Sequence, residues 1–250
     1  MSDITWGLWK LLLHGIWITV QLTVYSAALA AAVAFGIGLA RTHRRWLVRF
    51  LSGAYFEIFR GTSALILMFW MFFVLPMGFG WQLVPMWAAV LTLGLTYGAY
   101  GSEVVRGAIA AVPPGQREAG IALSFSPGQQ LRKIVLPQAW PGMVPPFNNL
   151  LIELLKGTAL VSVLGVGDIT FGASLVRNAT AQSAPVYTVI LVMYFALAFV
   201  LTRGMRAVER HAKAGVGQAP AGRLRLRSRS RRAAGPAVAR TTAAAGGETR

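Results

Sequence analysis

The sequence has 250 residues, of which 55% are hydrophobic and only 13% are charged, and its net charge is +16. A soluble domain usually has about 25% charged residues, whereas apolar runs of roughly 20 residues, long enough to cross a bilayer as helices, recur along this chain. The composition excludes an ordinary soluble protein and predicts an all-α, polytopic membrane bundle. The absence of cysteine excludes disulfides, thiol chemistry and cysteine-based metal sites.

Five membrane spans are predicted from the apolar runs. They lie at about residues 13–40, 55–75, 86–109, 143–166 and 186–205. Arginines follow the first and fifth spans, whereas the outer connections, at 76–85 and 168–185, are nearly free of charge. Because basic residues collect in cytoplasmic loops, we expect the N-terminus outside and the C-terminus inside. A cleaved signal peptide is not expected, and residues 1–12 are expected at the membrane interface.

Polar side chains inside the first three spans have helical spacing. Thr19 and Thr23 share a helix face, so their hydroxyls bond either to another helix or back to their own. Glu57–Arg60 and Glu103–Arg106 are each three residues apart and able to pair on one helix face. Since both pairs lie near the inner interface, we expect them to have structural roles.

The fourth span carries a polar set inside an apolar run. Its members are Asn148, Asn149, Glu153, Lys156, Thr158 and Ser162. Intramembrane charges are costly, are usually paired and often line a polar path. The set is therefore a candidate translocation path for a zwitterionic solute. The alternative is a Glu153–Lys156 ion pair that fixes the fourth helix against its neighbours.

The C-terminal tail differs from the body of the chain. Residues 211–250 hold nine of the 24 Lys and Arg residues and almost no large apolar side chains. Such a segment cannot bury a core, so we expect a membrane domain at 1–210 and a disordered basic tail at 211–250. The tail arginines either contact anionic lipid headgroups or form a solvated segment without function. Nucleic acid is not an expected partner, because the positive-inside pattern explains the basic charge.

The longest polar interruption, residues 113–137, carries its own helix signals. Pro113 and Pro114 prevent continuation of the third span, and residues 115–123 favour a short helix. Ser126 is a favourable N-cap with Gln129 three residues later, the spacing of a capping box. We expect a second short helix that ends at Pro137. Two joined helices on the cytoplasmic face predict a docking element for another protein.

Several of these motifs resemble one family. Glu118-Ala119-Gly120, followed by Ile134-Val135-Leu136-Pro137, is similar to the EAA loop of the permease subunits of ABC importers. Residues 19–23 (TVQLT), 57–62 (EIFRGT) and 153–163 (ELLKGTALVSV) resemble the polar amino-acid uptake branch of that family. The stretch 97–107 (YGAYGSEVVRG) and the run 150–171 resemble permeases for ectoine and hydroxyectoine. Ser124 stands where the motif usually has Gly, and it fits there if the backbone keeps an ordinary conformation.

This resemblance implies a fold, a set of partners and a coupling site. The fold would be that of type I ABC importer permeases, in the inner membrane of a prokaryote. The partners would be an ABC ATPase dimer, a second permease that is a paralogue or another copy, membrane lipids and an external solute-binding protein. ATP and Mg would be bound by the ATPases, since this chain has no phosphate-binding loop and is not itself an enzyme. The ATPase-coupling residues would be Glu118, Ala119, Gly120, Leu123, Ser124 and Phe125.

Two other functions remain as alternatives. One is a channel or accessory subunit without ATPase partners. The other is a membrane-embedded lipid enzyme, which needs clustered His, Asp or Glu residues at the interface. The three histidines, His14, His43 and His211, are far apart in the sequence, so no catalytic constellation, cofactor site or metal site is predicted.

Overall fold

A computed structural model describes residues 2–80 and 82–214, and all regular secondary structure in those ranges is helical. This confirms the all-α class. The α-helices of the described residues are α1 (Ser2–Ala40), α2 (Trp46–Gly61), α3 (Ala64–Phe69), α4 (Leu75–Phe79), α5 (Pro85–Ala110), α6 (Pro114–Ala122), α7 (Pro127–Gln130), α8 (Leu136–Gly157), α9 (Ile169–Thr180) and α10 (Ser183–Ala214). Two π-helical turns, Trp70–Val74 and Leu131–Val135, join α3 to α4 and α7 to α8, and a 3₁₀ segment, Thr158–Leu164, follows α8.

The central pair of the bundle is α1 with α5, which pack closely along their length. Glycines make this approach possible: a Cβ added at Gly94 would lie 2.5 Å from Cδ2 of Leu29, and one at Gly98 would lie 2.7 Å from Cβ of Val33. Small residues at such contacts let two membrane helices approach closely. As a result, about half of α5 is buried, and this helix forms the core against which the others pack.

The predicted second span is broken in the structure. α2 and the α3–α4 segment meet at an angle of 102°. Thr62 and Ser63 are extended, with ψ of 138° and 129°, and the Thr62 hydroxyl donates to the Ile58 carbonyl at 2.8 Å. The span expected at 55–75 is therefore not one straight helix but a bent pair. The outer connection is also shorter than expected, because residues up to Phe79 are helical and Gly80 ends α4 in the left-handed conformation.

The fourth span begins much earlier than expected. Pro137 does not end the second loop helix, because the chain continues as one helical segment over Pro127–Leu164. In an ordinary helix, a proline ring clashes with the carbonyl four residues earlier. Here the preceding turn, Leu131–Val135, is π-helical, and the Leu136 N–H bonds to the Leu131 carbonyl five residues back. We infer that this widened turn accommodates Pro137.

Three helical segments of the described chain are long and apolar enough to cross a membrane: Trp9–Ala40, Pro127–Leu164 and Ser183–Lys213. The bent pair of α2 and the α3–α4 segment adds a fourth when it is counted as one span. α5 does not qualify by hydropathy, although its 26 residues extend about 39 Å. The predicted count of five is reached only if α5 is included. Its burial among the other helices explains how a less apolar helix is accommodated there.

A buried carboxylate organises the end of the bundle at which α9 begins. Asp168 is fully buried and caps α9, accepting the backbone N–H groups of Thr170 at 3.2 Å and Phe171 at 3.0 Å. The Tyr194 hydroxyl of α10 donates to Oδ2 of Asp168 at 3.4 Å. Burial raises the pKa of the Asp168 carboxyl above its ordinary value, and the hydrogen bonds act in the opposite direction.

The two threonines of α1 differ in their partners: one bonds back to its own helix, and the other bonds to another helix. The Thr23 hydroxyl donates to the Thr19 carbonyl at 2.7 Å, within its own helix. The Thr19 hydroxyl accepts the N–H of Ile169 at 3.3 Å and so joins α1 to the start of α9. The connection at 168–185 is partly helical, because it contains α9.

α10 continues beyond the expected end of the fifth span. It includes Arg203, Arg206 and Arg210 and ends at Ala214, so the first residues of the predicted tail are helical. Residues 215–250 lie outside the described residues, and the expected disorder of the tail stays a prediction.

Candidate functional site

The polar interruption forms one separate short helix, α6, and the beginning of the long Pro127–Leu164 segment, with the predicted sharp turn between them. We call residues 113–137 the coupling loop, after the role that the resemblance implies for them. α6 ends at Ala122, and Ser124 has a φ of +56°, the left-handed conformation that favours glycine. Ser126 then caps α7 in a complete capping box with Gln129. The condition under which serine fits at position 124 is therefore not met, and the turn is strained there.

Gly120 lies on the inner side of the coupling loop. It is the buried residue of α6, and a Cβ added to it would lie 2.9 Å from Cδ1 of Ile134 and 3.1 Å from Cγ of Gln130. The Gln130 amide also donates to the Phe125 carbonyl at 3.0 Å. Gly120 is thus a packing residue between the two halves of the loop.

The opposite side of α6 faces outward. Glu118 and Ala119 are exposed, and Ile121 and Leu123 have 65% and 66% of their surface accessible. Phe125 is half-buried, and the Lys133 ammonium lies 5.4 Å from its ring centroid. One carboxylate among exposed apolar side chains, at the tip of a capped hairpin, forms a surface suited to a protein groove.

Two hydrogen bonds fix α6 to the bundle. The Arg117 guanidinium donates to the Ile109 carbonyl at the end of α5, at 2.9 Å. The Gln138 amide of α8 donates to Oε1 of Gln116 at 3.0 Å. These bonds attach α6 to both α5 and α8.

One face of α8 is polar and exposed. Asn149, Glu153 and Lys156 lie at successive helical turns, and all three side chains are exposed. Among the described residues, Glu153 and Lys156 form no salt bridge with each other or with another side chain. The expected alternative of an ion pair that fixes α8 is therefore not what the structure shows.

Prolines extend this polar face. Pro145 and Pro146 are exposed within α8 and carry no N–H, so the carbonyls of Pro141 and Gly142 lose their helical donors. The Tyr97 hydroxyl of α5 donates to the Glu153 carbonyl at 2.9 Å and holds this part of α8 in place. The face thus combines a carboxylate, an ammonium group, an amide and backbone acceptors.

Three residues of the predicted path lie elsewhere. Thr158 is fully buried, and its hydroxyl donates to the Leu155 carbonyl at 2.7 Å. The Ser162 hydroxyl similarly donates to the Ala159 carbonyl at 2.8 Å and is only partly exposed. Asn148 lies beside the exposed face, with its Oδ1 atom buried and without a partner among the described residues.

Two glycines at and after the end of α8 serve for close packing and for a turn. A Cβ at Gly157 would lie 3.0 Å from the Tyr97 hydroxyl, so α5 and α8 are in close contact there. Gly165 has a φ of +76° and turns the chain after the 3₁₀ segment.

A cavity of about 260 Å³ lies among α1, α5, α8 and α10 and is almost entirely apolar. Its lining includes Ala30, Phe35, Trp140 and Leu151. Tyr97 also lines it, but the Tyr97 hydroxyl already donates to the backbone carbonyl of Glu153. A zwitterion would lose its hydration there without gaining partners. The charged side chains of α8 lie outside this cavity, on the exposed face of the helix.

The Glu-x-x-Arg pairs form as expected, but one has a third member. Glu103 contacts both Arg106 and Arg41, the latter at 2.6 Å. The Glu57–Arg60 pair, at 3.4 Å, is exposed and local. Sequence spacing reveals the pairs within one helix, whereas nothing in the spacing identifies Arg41, which is 62 residues from Glu103.

No group of three His, Asp or Glu residues able to hold a metal ion is found in the described part of the chain. Tyr97, which positions Glu153, was not among the predicted site residues. No sequence motif indicates this role of Tyr97. Its partner is a backbone carbonyl 56 residues away, and such a contact requires no particular residue type at either position or fixed spacing.

Comparison with known proteins identifies the family. Residues 32–214 match the family described as the inner membrane component of binding-protein-dependent transport systems. A probable amino-acid ABC transporter permease, y4tF of Sinorhizobium fredii, is 48% identical over 78% of this chain and 84% of its own. The glutamine transport permease GlnP of Escherichia coli is 31% identical over 83% of this chain and 95% of its own.

The fold has a solved counterpart. The crystal structure of an amino acid ABC transporter with histidines superposes with a TM-score of 0.75 and 27% identity, over 84% of this chain and 97% of that chain. The helical architecture is that of type I ABC importer permeases. This chain belongs to the family of inner membrane components of binding-protein-dependent transport systems.

Proposed function

We propose that this chain is the membrane subunit of an ATP-driven importer for a small zwitterionic solute, an amino acid or an ectoine-like compound. An ABC ATPase dimer would supply ATP hydrolysis with Mg, an external solute-binding protein would deliver the solute, and a second permease, identical or paralogous, would complete the pore. The observation that carries this proposal is the exposed tip of the coupling loop in a chain of this family.

ATPase docking would involve the outward side of α6. Glu118 would pair or hydrogen-bond within the ATPase, while Ala119, Leu123 and the adjoining Phe125 would fill an apolar groove. Gly120 and Ser124 would act indirectly, because they shape the loop. Closure of the ATPases would move α6, and its bonds to α5 and α8 would carry that motion into the bundle, a two-state alternating-access cycle. The N-terminus would lie outside and the C-terminus inside.

The solute path would run along the polar face of α8. Glu153 would attract the cationic group of the solute and Lys156 its carboxylate, with Asn149 as a neutral hydrogen-bonding partner. Side chains three residues apart on a helix lie about 5–6 Å apart at Cβ, a spacing that suits the two charges of a small zwitterion. A lipid-facing position would be costly for both charges, which favours a partner-facing or water-facing one.

The solute class has two levels of support. The names of the relatives refer to amino acids, including glutamine, and these support an amino acid as the transported solute. The motifs at 97–107 and 150–171 favour ectoine or hydroxyectoine. Both classes are small and zwitterionic, so the proposed path fits either one.

The test is ATP-dependent uptake in proteoliposomes that contain this chain with its partner subunits and its solute-binding protein. Wild type should accumulate the solute only with ATP and Mg. The Glu118→Lys variant should lose ATPase binding or hydrolyse ATP without uptake. Glu57→Lys, the same charge change at an exposed acid outside the loop, should keep ATPase binding.

Competition by unlabelled ectoine, glutamine and arginine would then assign the solute. Normal uptake and normal ATPase co-purification by Glu118→Lys would contradict the coupling proposal. Solute flux without any ATPase partner would instead indicate a channel.

A further inference from the structure

A second cavity, of about 830 Å³, lies between the end of α1, the α1–α2 connection and the coupling loop. We call it the basic cleft. Its lining includes three basic residues, Arg44, Arg45 and Arg117, and three apolar ones, Leu39, Val48 and Leu131. It lies outside the exposed tip of α6 and outside the polar face of α8.

The charged side chains that line the cleft are all basic. None of the described residues that line it is acidic. Arg44 and Arg45 form no salt bridge with any residue in the described ranges. Arg117 uses one guanidinium nitrogen on the Ile109 carbonyl, and the others remain available. Guanidinium groups bind phosphate oxygens in a forked geometry, so this wall is suited to a phosphate group.

The rest of the cleft is apolar and belongs to the inner end of a membrane span. Leu39 lies in the last turn of α1, and Val48 and Leu131 face it from α2 and the π turn. Trp46, directly after Arg45, is 66% exposed and stacks on Phe50 with ring centroids 5.4 Å apart. Exposed tryptophans of this kind mark the membrane–water interface. This fits a basic wall at the headgroup level with the apolar floor beneath it.

We propose that the basic cleft binds one anionic phospholipid. Its phosphate lies between the guanidinium groups of Arg44, Arg45 and Arg117, and one acyl chain lies along the apolar floor. Anionic headgroups are attracted to basic clusters next to membrane helices. A zwitterionic lipid would bring its own cation against three arginines, and free phosphate would leave the apolar floor unused.

The lipid would join two parts of the molecule that have different roles. Arg117 and Leu131 belong to the coupling loop, whereas Arg44, Arg45 and Val48 belong to the α1–α2 connection and α2. A bound lipid would therefore hold the base of the coupling loop against the α1–α2 corner.

The test measures lipid retention by the full-length chain and needs no transport. The protein is purified from membranes, and its bound lipid is exchanged against equal amounts of phosphatidylglycerol and phosphatidylcholine. The retained lipid is then counted by native mass spectrometry. Wild type should retain phosphatidylglycerol selectively. Arg44→Gln with Arg45→Gln should weaken retention by roughly 30-fold, since each interfacial arginine contributes a factor of about five.

Two matched variants separate the cleft from general basic charge. Arg203→Gln with Arg206→Gln removes two arginines of α10 outside the cleft and should leave retention unchanged. Gly36→Phe fills the cleft, where an added Cβ meets no atom within 4 Å, and should displace the acyl chain with every arginine kept. Gly204→Phe, at an equally open helical position on α10, is its control.

The proposal is overturned if the Arg44/Arg45 variant retains as much phosphatidylglycerol as wild type. It is also overturned if the Arg203/Arg206 variant loses as much phosphatidylglycerol as the Arg44/Arg45 variant. Equal retention of phosphatidylcholine would overturn it as well. Displacement by inorganic phosphate would indicate a free-anion site. Protection of Arg44 and Arg45 by a co-purified protein, without retained lipid, would indicate a protein contact.

Discussion

The Arg41 guanidinium lies 2.6 Å from Oε2 of Glu103, and this contact joins the end of α1 to the corresponding end of α5. Glu103 also binds Arg106 within α5. The Arg41 guanidinium lies 4.2 Å from the ring centroid of Phe56, a residue of α2. One carboxylate and one guanidinium therefore hold three helices together at one end of the bundle.

Glu103→Gln should loosen this end of the bundle. The substitution keeps the shape of the side chain but removes the charge that binds two guanidinium groups. Because Glu103 is 39% exposed, we expect a loss of only about 1 kcal/mol in stability. Thermal unfolding of the purified protein measures this loss. Glu57→Gln, which breaks an exposed pair within one helix, should shift the melting temperature less, and an equal shift would contradict the three-helix role of Glu103.

Ser124→Gly should stabilise the turn of the coupling loop. Residue 124 has a φ of +56°, a conformation that costs a non-glycine residue roughly 1 kcal/mol. Removing the side chain removes that cost, and part of the gain is offset by the greater freedom of glycine in the unfolded chain. Hydrogen exchange of the Phe125 amide, which bonds to the Gly120 carbonyl at 3.0 Å, should slow. Ser124→Ala keeps the strained backbone conformation, so it should not slow this exchange. Equal exchange rates in the two variants would contradict the explanation by backbone strain.

Gly120→Val should separate the two halves of the coupling loop. A branched side chain there overlaps Ile134, whereas the single methyl of Gly120→Ala meets the flexible end of Ile134 and should be tolerated. Overpacking of this kind costs about 1–3 kcal/mol. Proteolysis of the loop reports the effect and should be faster in Gly120→Val. Combining it with Ile134→Ala should restore protection, and failure of that rescue would show that the two residues are not coupled.

Glu153→Gln and Lys156→Gln should each raise the half-saturating solute concentration for uptake. Each substitution removes one of the two charges proposed to bind a zwitterion, and a hydrogen bond to a charged group contributes about 1.5–3 kcal/mol. The expected loss in apparent affinity is therefore roughly tenfold or more, with ATPase assembly unchanged. Uptake assays over a range of solute concentrations measure it, with Glu57→Gln as the charge-matched control for Glu153→Gln. Unchanged uptake in both α8 variants would remove this face from the path.

Local chemistry determined much of what the sequence predicts correctly. The capping box at Ser126, the ends of α6 and the helical pairs at Glu103 and Glu57 depend on residues three or four positions apart, so they can be read directly from the sequence. The apolar composition determined the all-α membrane class, because helices satisfy their own backbone groups in lipid.

The tertiary structure decided the features that depend on distant residues or on rare backbone conformations. A π turn next to Pro137 let one helix continue where the sequence predicts an end. Gly120 is buried against Ile134 and packs the two halves of the coupling loop together, a contact that the loop motif does not indicate. Thr158 is fully buried, so it does not belong to the exposed polar face that α8 presents. Arg41 meets Glu103 only because α1 and α5 pack side by side, and this contact between helices leaves no spacing pattern in the sequence.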